Sequence, residues 1–257
     1  MTDDSTDDAL LNGRVRLRQP ARGYRVAIDP VLLAASVPAS PGDHVLDAGC
    51  GVGAAALCLA ARVPGCRLVG LDIDPKMLRL ARHNIAANDL GARMTVIAGD
   101  IRRRPPAGIA ETRFDHVMAN PPYLEVGRAA RSSGGDPCDD DWATVERHGD
   151  LDAWIAFCLA LARDGGCVTL IHRADRLDAL LARLAKAAGR IVVIPLWPDS
   201  GGRRPAKRVI VRAIKGRSGP LTLTPGLVLH EADGRYTAAA EAILRRGQAL
   251  APGDGRA

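Results

Sequence analysis

The sequence predicts an α/β fold in which helices cover both faces of a mostly parallel, seven-stranded sheet. Two observations predict it: short apolar runs alternate with amphipathic stretches along residues 43–196, and the first run ends in a glycine-rich corner. The chain has 257 residues, of which 47% are hydrophobic, so it can bury one sizeable core. We therefore expect a single domain over residues 41–250, preceded by a small extension.

The extension is expected to contain two short strands and one helix within residues 11–40. Apolar and basic residues alternate in residues 14–18, and a Pro/Gly turn then leads to a second strand that starts at Tyr24. Asp29 opens the helix as its N-cap, with Pro30 in the first turn. The extension is thus a β-hairpin followed by a first helix.

Seven apolar runs predict the strands of the sheet. They are His44–Ala48, Arg67–Leu71, Met94–Ala98, Phe114–Ala119, Cys167–His172, Ile191–Leu196 and Arg208–Ile214. Amphipathic stretches predict helices at Ala54–Arg62, Pro75 to about Asn88, Asp152–Arg163, Ala174–Ala188 and Tyr236–Arg245. The last two strands are joined by a Gly/Pro/Arg loop, so we expect an antiparallel terminal hairpin. Residues 221–231 are a candidate for a further extended segment.

The charge of the chain favours a polyanionic partner. The net charge is +6, and residues 1–10, which we expect to be a disordered acidic tail, contribute −4 and leave +10 for the remainder. Arg outnumbers Lys by 31 to 4, so a compositional bias of the source genome is an alternative explanation. Aromatic residues make up only 3%, too few for a surface that stacks many bases. Residues 251–257 are expected to be a second tail.

Several classes of protein are disfavoured. The six cysteines form no Cys-x-x-Cys pair and none lies beside a His at ligand spacing, so no metal site is predicted. No apolar stretch approaches the length of a membrane span, and the acidic N-terminus is not a secretory signal. We expect a cytoplasmic protein with reduced thiols, a monomer or weak dimer without membrane contact.

The glycine-rich corner predicts a nucleotide-containing cofactor. The sequence Asp47-Ala48-Gly49-Cys50-Gly51-Val52-Gly53 lets the backbone turn sharply and approach a ligand. Asp72 ends the second strand, where a carboxylate can accept hydrogen bonds from both hydroxyls of a ribose. A carboxylate at Asp47 would repel a pyrophosphate but suits a ligand with an ammonium group. The corner therefore favours S-adenosylmethionine over NAD. The alternative is that Asp47 only caps the loop.

The tetrapeptide Asn120-Pro121-Pro122-Tyr123, which follows the fourth strand, predicts chemistry on an amino group. Its two prolines fix the backbone and leave carbonyl groups free to accept hydrogen bonds. The side-chain oxygen of Asn120 and the carbonyl of Pro121 can hold both hydrogens of one planar NH2 group, and the ring of Tyr123 can stack on that group. Asp100, after the third strand, either holds the adenine amino group of the cofactor or belongs to an ordinary turn.

In their order, these motifs resemble those of the class I S-adenosylmethionine-dependent amino-methyltransferases over residues 43–125. The resemblance implies a Rossmann-like sandwich and N-methylation with S-adenosyl-L-methionine as the donor. It implies cofactor binding by Asp47, Gly49, Gly51, Gly53, Asp72, Asp100 and Asn120. It implies catalytic roles for Asn120, Pro121 and Tyr123, without a base of the Ser-His-Asp kind.

A narrower resemblance covers most of the chain. Residues 19–34, which include Asp29, and residues 229–237, Leu-His-Glu-Ala-Asp-Gly-Arg-Tyr-Thr, resemble segments of the bacterial tRNA1(Val) (adenine-N6)-methyltransferase family. Members of that family modify the adenine beside the anticodon, so the resemblance implies tRNA as the partner. It also implies that Asp29 lies near the cofactor pocket. The acidic loop at 134–141 departs from the family pattern and bears on what enters the pocket.

Two basic segments are the evidence for RNA binding. Arginines crowd residues 14–25, and the C-terminal hairpin carries the residues assigned to substrate RNA, which are Arg203, Arg204, Lys207, Arg208 and Arg212. Strand alternation places Arg208 and Arg212 on one face, where contacts with phosphates would provide affinity. A solvated basic surface is the alternative.

Other functions fit the same tetrapeptide. The glutamine methyltransferases of release factors share it, but they usually carry a helical domain ahead of the catalytic one, and only about forty residues precede the glycine strand here. Guanine-N2 methyltransferases of ribosomal RNA typically have Phe at its last position. A small-molecule amino-methyltransferase and a degenerate, purely RNA-binding fold are further alternatives, although both principal motifs are intact.

Overall fold

The structure, a computed structural model, describes residues 5–23, 25–122, 124–125, 145–146, 150–200 and 204–250. The predictions for Tyr123, Arg203, the loop at 134–141 and the tail at 251–257 lie outside the described residues. Within the described residues, no helix is both long and apolar enough to cross a membrane.

An antiparallel hairpin of β1 (Ser5–Leu10) and β2 (Val15–Pro20) precedes the main sheet. Its turn includes Asn12 and Gly13, whose φ angles of 55° and 87° are ones that Asn and Gly adopt at low cost. The predicted hairpin is therefore confirmed, but the partner of β2 comes before it in the chain. The expected second strand is wrong for residues 25–26, which belong to no strand.

The predicted disordered acidic tail is wrong for residues 5–10. Asp7 forms an ion pair with Arg18 at 2.7 Å, and Asp8 forms one with Arg25 at 2.8 Å. The acidic strand thus neutralises part of the basic segment that follows it. Exposed ion pairs of this kind contribute little individually, so the backbone ladder with β2 shares the task of ordering the segment.

The main sheet contains all seven predicted strands. They are β3 (His44–Ala48), β4 (Arg67–Asp72), β5 (Met94–Ala98), β6 (Phe114–Ala119), β9 (Ala162–Arg173), β10 (Ala188–Asp199) and β11 (Arg208–Lys215). Their spatial order is β5-β4-β3-β6-β9-β11-β10, and only β11 among them runs antiparallel to its neighbours. This arrangement confirms the mostly parallel sheet and its antiparallel terminal hairpin.

Short strands add to this prediction. β12 (Thr222–Leu223) and β13 (Leu227–His230) pair in parallel with β10, so the sheet has nine strands rather than seven. Both lie within the stretch that the sequence marked as a candidate extended segment. A separate two-stranded pair consists of β7 (Leu124–Glu125) and β8 (Val145–Glu146).

Helices cover both faces of the sheet, as predicted. One core lies under α1 (Asp29–Ser36), α2 (Ala54–Arg62), α3 (Pro75–Ala87) and α7 (Ala238–Leu244). The other lies under α4 (Ala107–Ala110), α5 (Asp150–Leu161) and α6 (Leu177–Leu184). The apolar residues of the sheet are thereby buried from two sides, which is the condition for parallel strands.

The first helix differs from the prediction in its first turn. Ile28 occupies the N-cap position, and the carboxylate of Asp29 instead accepts a hydrogen bond from Nε of Arg208 at 3.0 Å. Because Arg208 begins β11, this ion pair ties α1 to the C-terminal hairpin. Near the other end of α1, the backbone N–H of Leu250 donates to the carbonyl of Ala35 at 2.8 Å. The helix is therefore held by two segments that follow it late in the chain.

Candidate active site

Four parallel strands, β3 to β6, end at one edge of the sheet. There, the loops after β3 and β5 form backbone hydrogen bonds with the end of β4. The N–H of Cys50 donates to the carbonyl of Leu71 at 2.9 Å, and the N–H of Gly99 donates to the carbonyl of Asp72 at 2.9 Å. The register of β3 with β6 pairs Ala48 with Ala119, so Asn120 follows directly beside the glycine corner. This edge of a parallel sheet is where α/β proteins bind ligands.

The three glycines of the corner differ in the space around them. A Cβ on Gly49 would lie 2.2 Å from the ring of Trp154 on α5, so this position must be bare for the corner to pack on that ring. A Cβ on Gly51 would meet no described atom within 4 Å. Gly53 is the N-cap of α2, and a Cβ there would lie 3.4 Å from Cε of Met94. Gly51 is thus the position where the corner is open to a ligand.

The carboxylate of Asp72 is fixed by backbone donors. Its Oδ2 accepts from the N–H of Gly51 at 2.7 Å, and its Oδ1 accepts from the N–H of Asp74 at 2.9 Å. Burial raises the pKa of Asp72, and these two hydrogen bonds oppose that rise. Each carboxylate oxygen has a second lone pair, so Asp72 can also accept from the hydroxyls of a ligand. Its placement fits the predicted ribose contact.

Asp47 lies beneath the corner, buried inside the domain. Its Oδ2 accepts a hydrogen bond from the N–H of Ala56, in the first turn of α2, at 3.2 Å. Burial raises the pKa of Asp47 to about 7, and the carboxylate of Asp72 acts in the same direction. The carboxylate therefore satisfies one of the unpaired donors at the start of α2. Its contact with a ligand ammonium group stays a prediction.

This raised pKa predicts how stability depends on pH in the protein without cofactor. The pKa of Asp47 rises from 3.8 to about 7 on folding. The free energy of unfolding of the parent therefore falls as the pH increases from about 3.8 to about 7, and this contribution is constant above that range. We expect Asp47→Asn, which cannot ionise, to gain free energy of unfolding relative to the parent across this window, on the order of 4 kcal/mol at most. Urea unfolding at several pH values measures the difference. A difference that stays constant with pH would contradict the assignment.

Asp100 reaches the same edge, but its carboxylate already has partners. Arg102 donates to it through Nε and Nη2, both at 3.0 Å, and through its backbone N–H at 2.9 Å. The hydrogen bond from the Arg102 side chain lowers the pKa of Asp100. These are the bonds of a tight turn, which was the simpler interpretation. The contact with an adenine amino group stays a prediction.

Asn120 presents a buried acceptor. Its side-chain Oδ1 is shielded from solvent and has no hydrogen-bond partner among the described residues. A buried oxygen in this state costs about 1–3 kcal/mol, so a folded protein retains one for a reason. Pro121, which follows, is buried and cannot donate a backbone hydrogen bond. The arrangement suits a donor group brought by a ligand.

The basic residues assigned to RNA fall into two groups. Arg208 and Arg212 point to one face of β11, as alternation predicts, but that face is covered by α1. Arg208 forms the ion pair described above, and Nη1 of Arg212 donates to the carbonyl of the last residue of α1 at 3.4 Å. Arg204 and Lys207 are exposed, and Arg204 pairs with Asp199 at 2.5 Å. Of these four residues, Arg204 and Lys207 are therefore the ones that are exposed on the surface.

Two contacts at the corner have no signal in the sequence. The ring of Trp154 supports Gly49, and the side-chain amide of Asn84 on α3 donates to the carbonyl of Val52 at 2.9 Å. A single ring or amide on an amphipathic helix is typical of an ordinary core position. Only the packed structure distinguishes these two residues from their neighbours.

Known proteins resemble the chain over most of its length. The tRNA1(Val) (adenine(37)-N6)-methyltransferase of Aeromonas hydrophila is 32% identical over 217 residues, which cover 83% of this chain and 85% of that protein. The chain belongs to this family. The family member from Porphyromonas gingivalis is also 32% identical, over 241 residues that cover 87% of this chain and 88% of that protein. A family model described as a methyltransferase domain matches residues 45–131.

The fold of this family member also resembles a solved structure. A crystal structure described as a predicted O-methyltransferase from Agrobacterium tumefaciens superposes with a TM-score of 0.68 and 26% sequence identity. The superposition covers 86% of this chain and 97% of that one. The chain is thus a methyltransferase with a Rossmann-like α/β fold. The family and the enzyme class expected from the motifs are confirmed.

Proposed function

We propose that this family member transfers a methyl group from S-adenosyl-L-methionine to the N6 amino group of an adenine in tRNA. The observation that carries the proposal is the buried Oδ1 of Asn120, which lacks a partner among the described residues and lies beside the glycine corner. An exocyclic amino group supplies the donor that this oxygen lacks.

The corner supplies the features that the cofactor requires. Gly51 leaves room for the cofactor where any side chain would enter its space, and the fixed carboxylate of Asp72 faces the ribose hydroxyls. S-adenosyl-L-methionine, when bound, supplies an electrophilic methyl group on a sulfonium centre. Gly49 and Gly53 act through the backbone shape that they allow. Asp47, beneath the corner, and Asp100, beside it, are further candidates for contact with the cofactor.

The chain acts on the amino group mainly by positioning it. Oδ1 of Asn120 and the carbonyl of Pro121 accept one hydrogen bond each from the two N6 hydrogens. Holding both hydrogens out of the ring plane releases the nitrogen lone pair from conjugation with the base and directs it toward the methyl group. Tyr123 stacks on the base, and the departing proton is passed to water. No side chain acts as a general base in this scheme.

Arg204 and Lys207 provide the tRNA contact at the edge of the sheet where Asn120 lies, with Arg203 as a further candidate. Lys207 immediately precedes β11, and its carbonyl accepts from the N–H of Ala174, just after β9. Lys207 thus lies at the edge where the strands end beside Asn120, and Arg204 reaches the same edge through its ion pair with Asp199, the last residue of β10. Phosphate contacts of this kind give affinity without reading sequence. Arg208 and Arg212 contribute by holding α1 in place.

Removing the two exposed cations should change the salt dependence of tRNA binding. We expect the double variant Arg204→Ala with Lys207→Ala to reduce the slope of log affinity against log salt by about two, because fewer counterions are released. The control is Arg67→Ala with Arg217→Ala, which removes the same charge at the opposite edge, where β4 begins and β11 ends. Filter binding over a range of salt concentrations measures both. Equal slopes in the two double variants would show that the first pair is only a solvated surface.

Transfer of a labelled methyl group tests the proposed reaction. The protein is incubated with labelled S-adenosyl-L-methionine and total tRNA, which is then digested to nucleosides. We expect the label in N6-methyladenosine. Label in N2-methylguanosine, or in a release-factor protein supplied as the acceptor instead of tRNA, would overturn the substrate assignment. Absence of cofactor binding by calorimetry would overturn the enzymatic proposal altogether.

A further inference from the structure

Asn84 on α3 and Asn88, the C-cap residue directly after α3, pair with the edge of β2 that faces away from β1. The two residues are four positions apart, about one helical turn, so both side chains reach the same strand. Oδ1 of Asn84 accepts from the N–H of Arg18 at 2.7 Å, and its Nδ2 donates to the carbonyl of Arg18 at 2.9 Å. Asn88 makes the same pair of bonds with Arg16, at 2.9 and 2.7 Å. The two amides thus take the place of a third strand beside the hairpin.

The second amide hydrogen distinguishes the two asparagines. Nδ2 of Asn84 also donates to the carbonyl of Val52, between Gly51 and Gly53 in the corner, at 2.9 Å. The corresponding donor of Asn88 returns to its own helix, where the carbonyl of Asn84 accepts it at 2.8 Å. Asn84 is also completely buried, so water cannot replace its partners. Of the two asparagines, Asn84 is thus the one that joins the hairpin to the corner.

The bond to Val52 completes a clamp on the corner. The N–H of Gly51 is held by Asp72 at 2.7 Å, and the carbonyl of the next residue, Val52, is held by Asn84 at 2.9 Å. Glycine-rich backbone loses much conformational freedom when it is ordered. A contact that orders it before the ligand arrives therefore increases affinity by reducing the cost of ordering on binding.

We propose that Asn84 is a positioning residue that pre-orders the cofactor loop around Gly51 and links it to the N-terminal hairpin. This inference rests on the proposed function, since it assumes that the loop at Gly51 receives S-adenosyl-L-methionine. Asn84 acts through Val52 and contacts neither the methyl donor nor the target adenine. Its effect is therefore on binding of the cofactor rather than on the methyl transfer.

The test compares Asn84→Ala with Asn88→Ala, which removes an equal set of bonds to the hairpin but none to the corner. We expect Asn84→Ala to raise the Kd for S-adenosyl-L-methionine about tenfold by calorimetry, and Asn88→Ala to change it less than about twofold. At saturating cofactor, Asn84→Ala should recover a kcat close to that of the parent while the KM for cofactor stays raised. Both variants should lose thermal stability.

A second readout needs no cofactor. The backbone amides of residues 51–53 should exchange with solvent faster in Asn84→Ala than in Asn88→Ala when the protein is empty. If Asn84→Ala does not fold, Asn84→Ser and Asn88→Ser provide the same comparison in milder form. Equal affinity and equal exchange in the paired variants would overturn the inference. A parent protein that does not bind S-adenosyl-L-methionine would instead overturn the proposed function, so the two failures are distinguishable.

Discussion

Asn120→Ala is expected to lower the rate of methyl transfer about 100-fold or more while it changes the affinity for tRNA less than about threefold. The expectation follows because the interaction of Oδ1 with the amino group matters chiefly in the transition state, and losses of this size accompany the removal of one preorganised polar group. A single-turnover assay with saturating tRNA and cofactor measures the rate. Asn120→Ala that methylates as fast as the parent would refute the proposed positioning of the amino group by Oδ1.

The same variant carries a prediction about stability. Oδ1 of Asn120 is buried without a partner among the described residues, so its removal relieves a desolvation cost. We expect the Tm of Asn120→Ala to equal or exceed that of the parent when no ligand is present. A loss of activity at unchanged or higher stability is typical of residues kept for function. A large drop in Tm would indicate instead that the tetrapeptide is a structural turn.

Gly51→Val is expected to weaken binding of S-adenosyl-L-methionine at least about 100-fold, since the new side chain would occupy the space of the ligand. Nothing in the described protein would clash with the first atom of this side chain, because a Cβ at Gly51 meets no atom within 4 Å. Gly51→Val should therefore lower the cofactor affinity measured by calorimetry, while the protein still unfolds in a cooperative transition.

Gly42→Val is the matched control for this prediction. Gly42 also has a positive φ angle, +94° against +54° at Gly51, and a Cβ there also meets no described atom within 4 Å. Both variants therefore bear the backbone strain of a β-branched residue in the left-handed region, roughly 1–2 kcal/mol. Gly42 precedes β3, at the opposite edge of the sheet from the corner. If Gly42→Val weakened binding of the cofactor as strongly as Gly51→Val, backbone strain rather than lost space would explain the loss of affinity.

The sheet was predictable because its residues carry a local signal. Buried parallel strands appear as short apolar runs, and the residues that end them, Asp72 and Asn120, lie at the same edge by topology alone. The hairpin was placed correctly only in part. Asn12-Gly13 is a turn signal, but the four aspartates around β1 indicate a solvated tail when they are considered without their partners. Arg18 and Arg25 supply those partners only after the chain has folded.

The remaining features of the site depend on contacts between distant segments. Nothing near Asp29 in sequence indicates that Arg208 will reach it, and no pattern separates Asn84 from other polar positions of α3. Trp154 shows the same limit, because its contact with Gly49 arises from the packing of α5 against the corner. The motifs therefore indicate which residues are candidates to touch ligands. They do not predict which residues hold those motifs in place.

The ties between the two ends of the chain have a consequence for the order in which the protein is built. Asp29 and Arg208 are 179 positions apart, and Arg14 donates to the carbonyl of Arg246 across 232 positions. Synthesis proceeds from the N-terminus, so the first helix leaves the ribosome long before these partners exist. Contacts of such long sequence separation also slow folding. The first helix can pack against α2 early, but the bonds that tie it and the hairpin to the C-terminal segment can form only after residues 208–250 have been made.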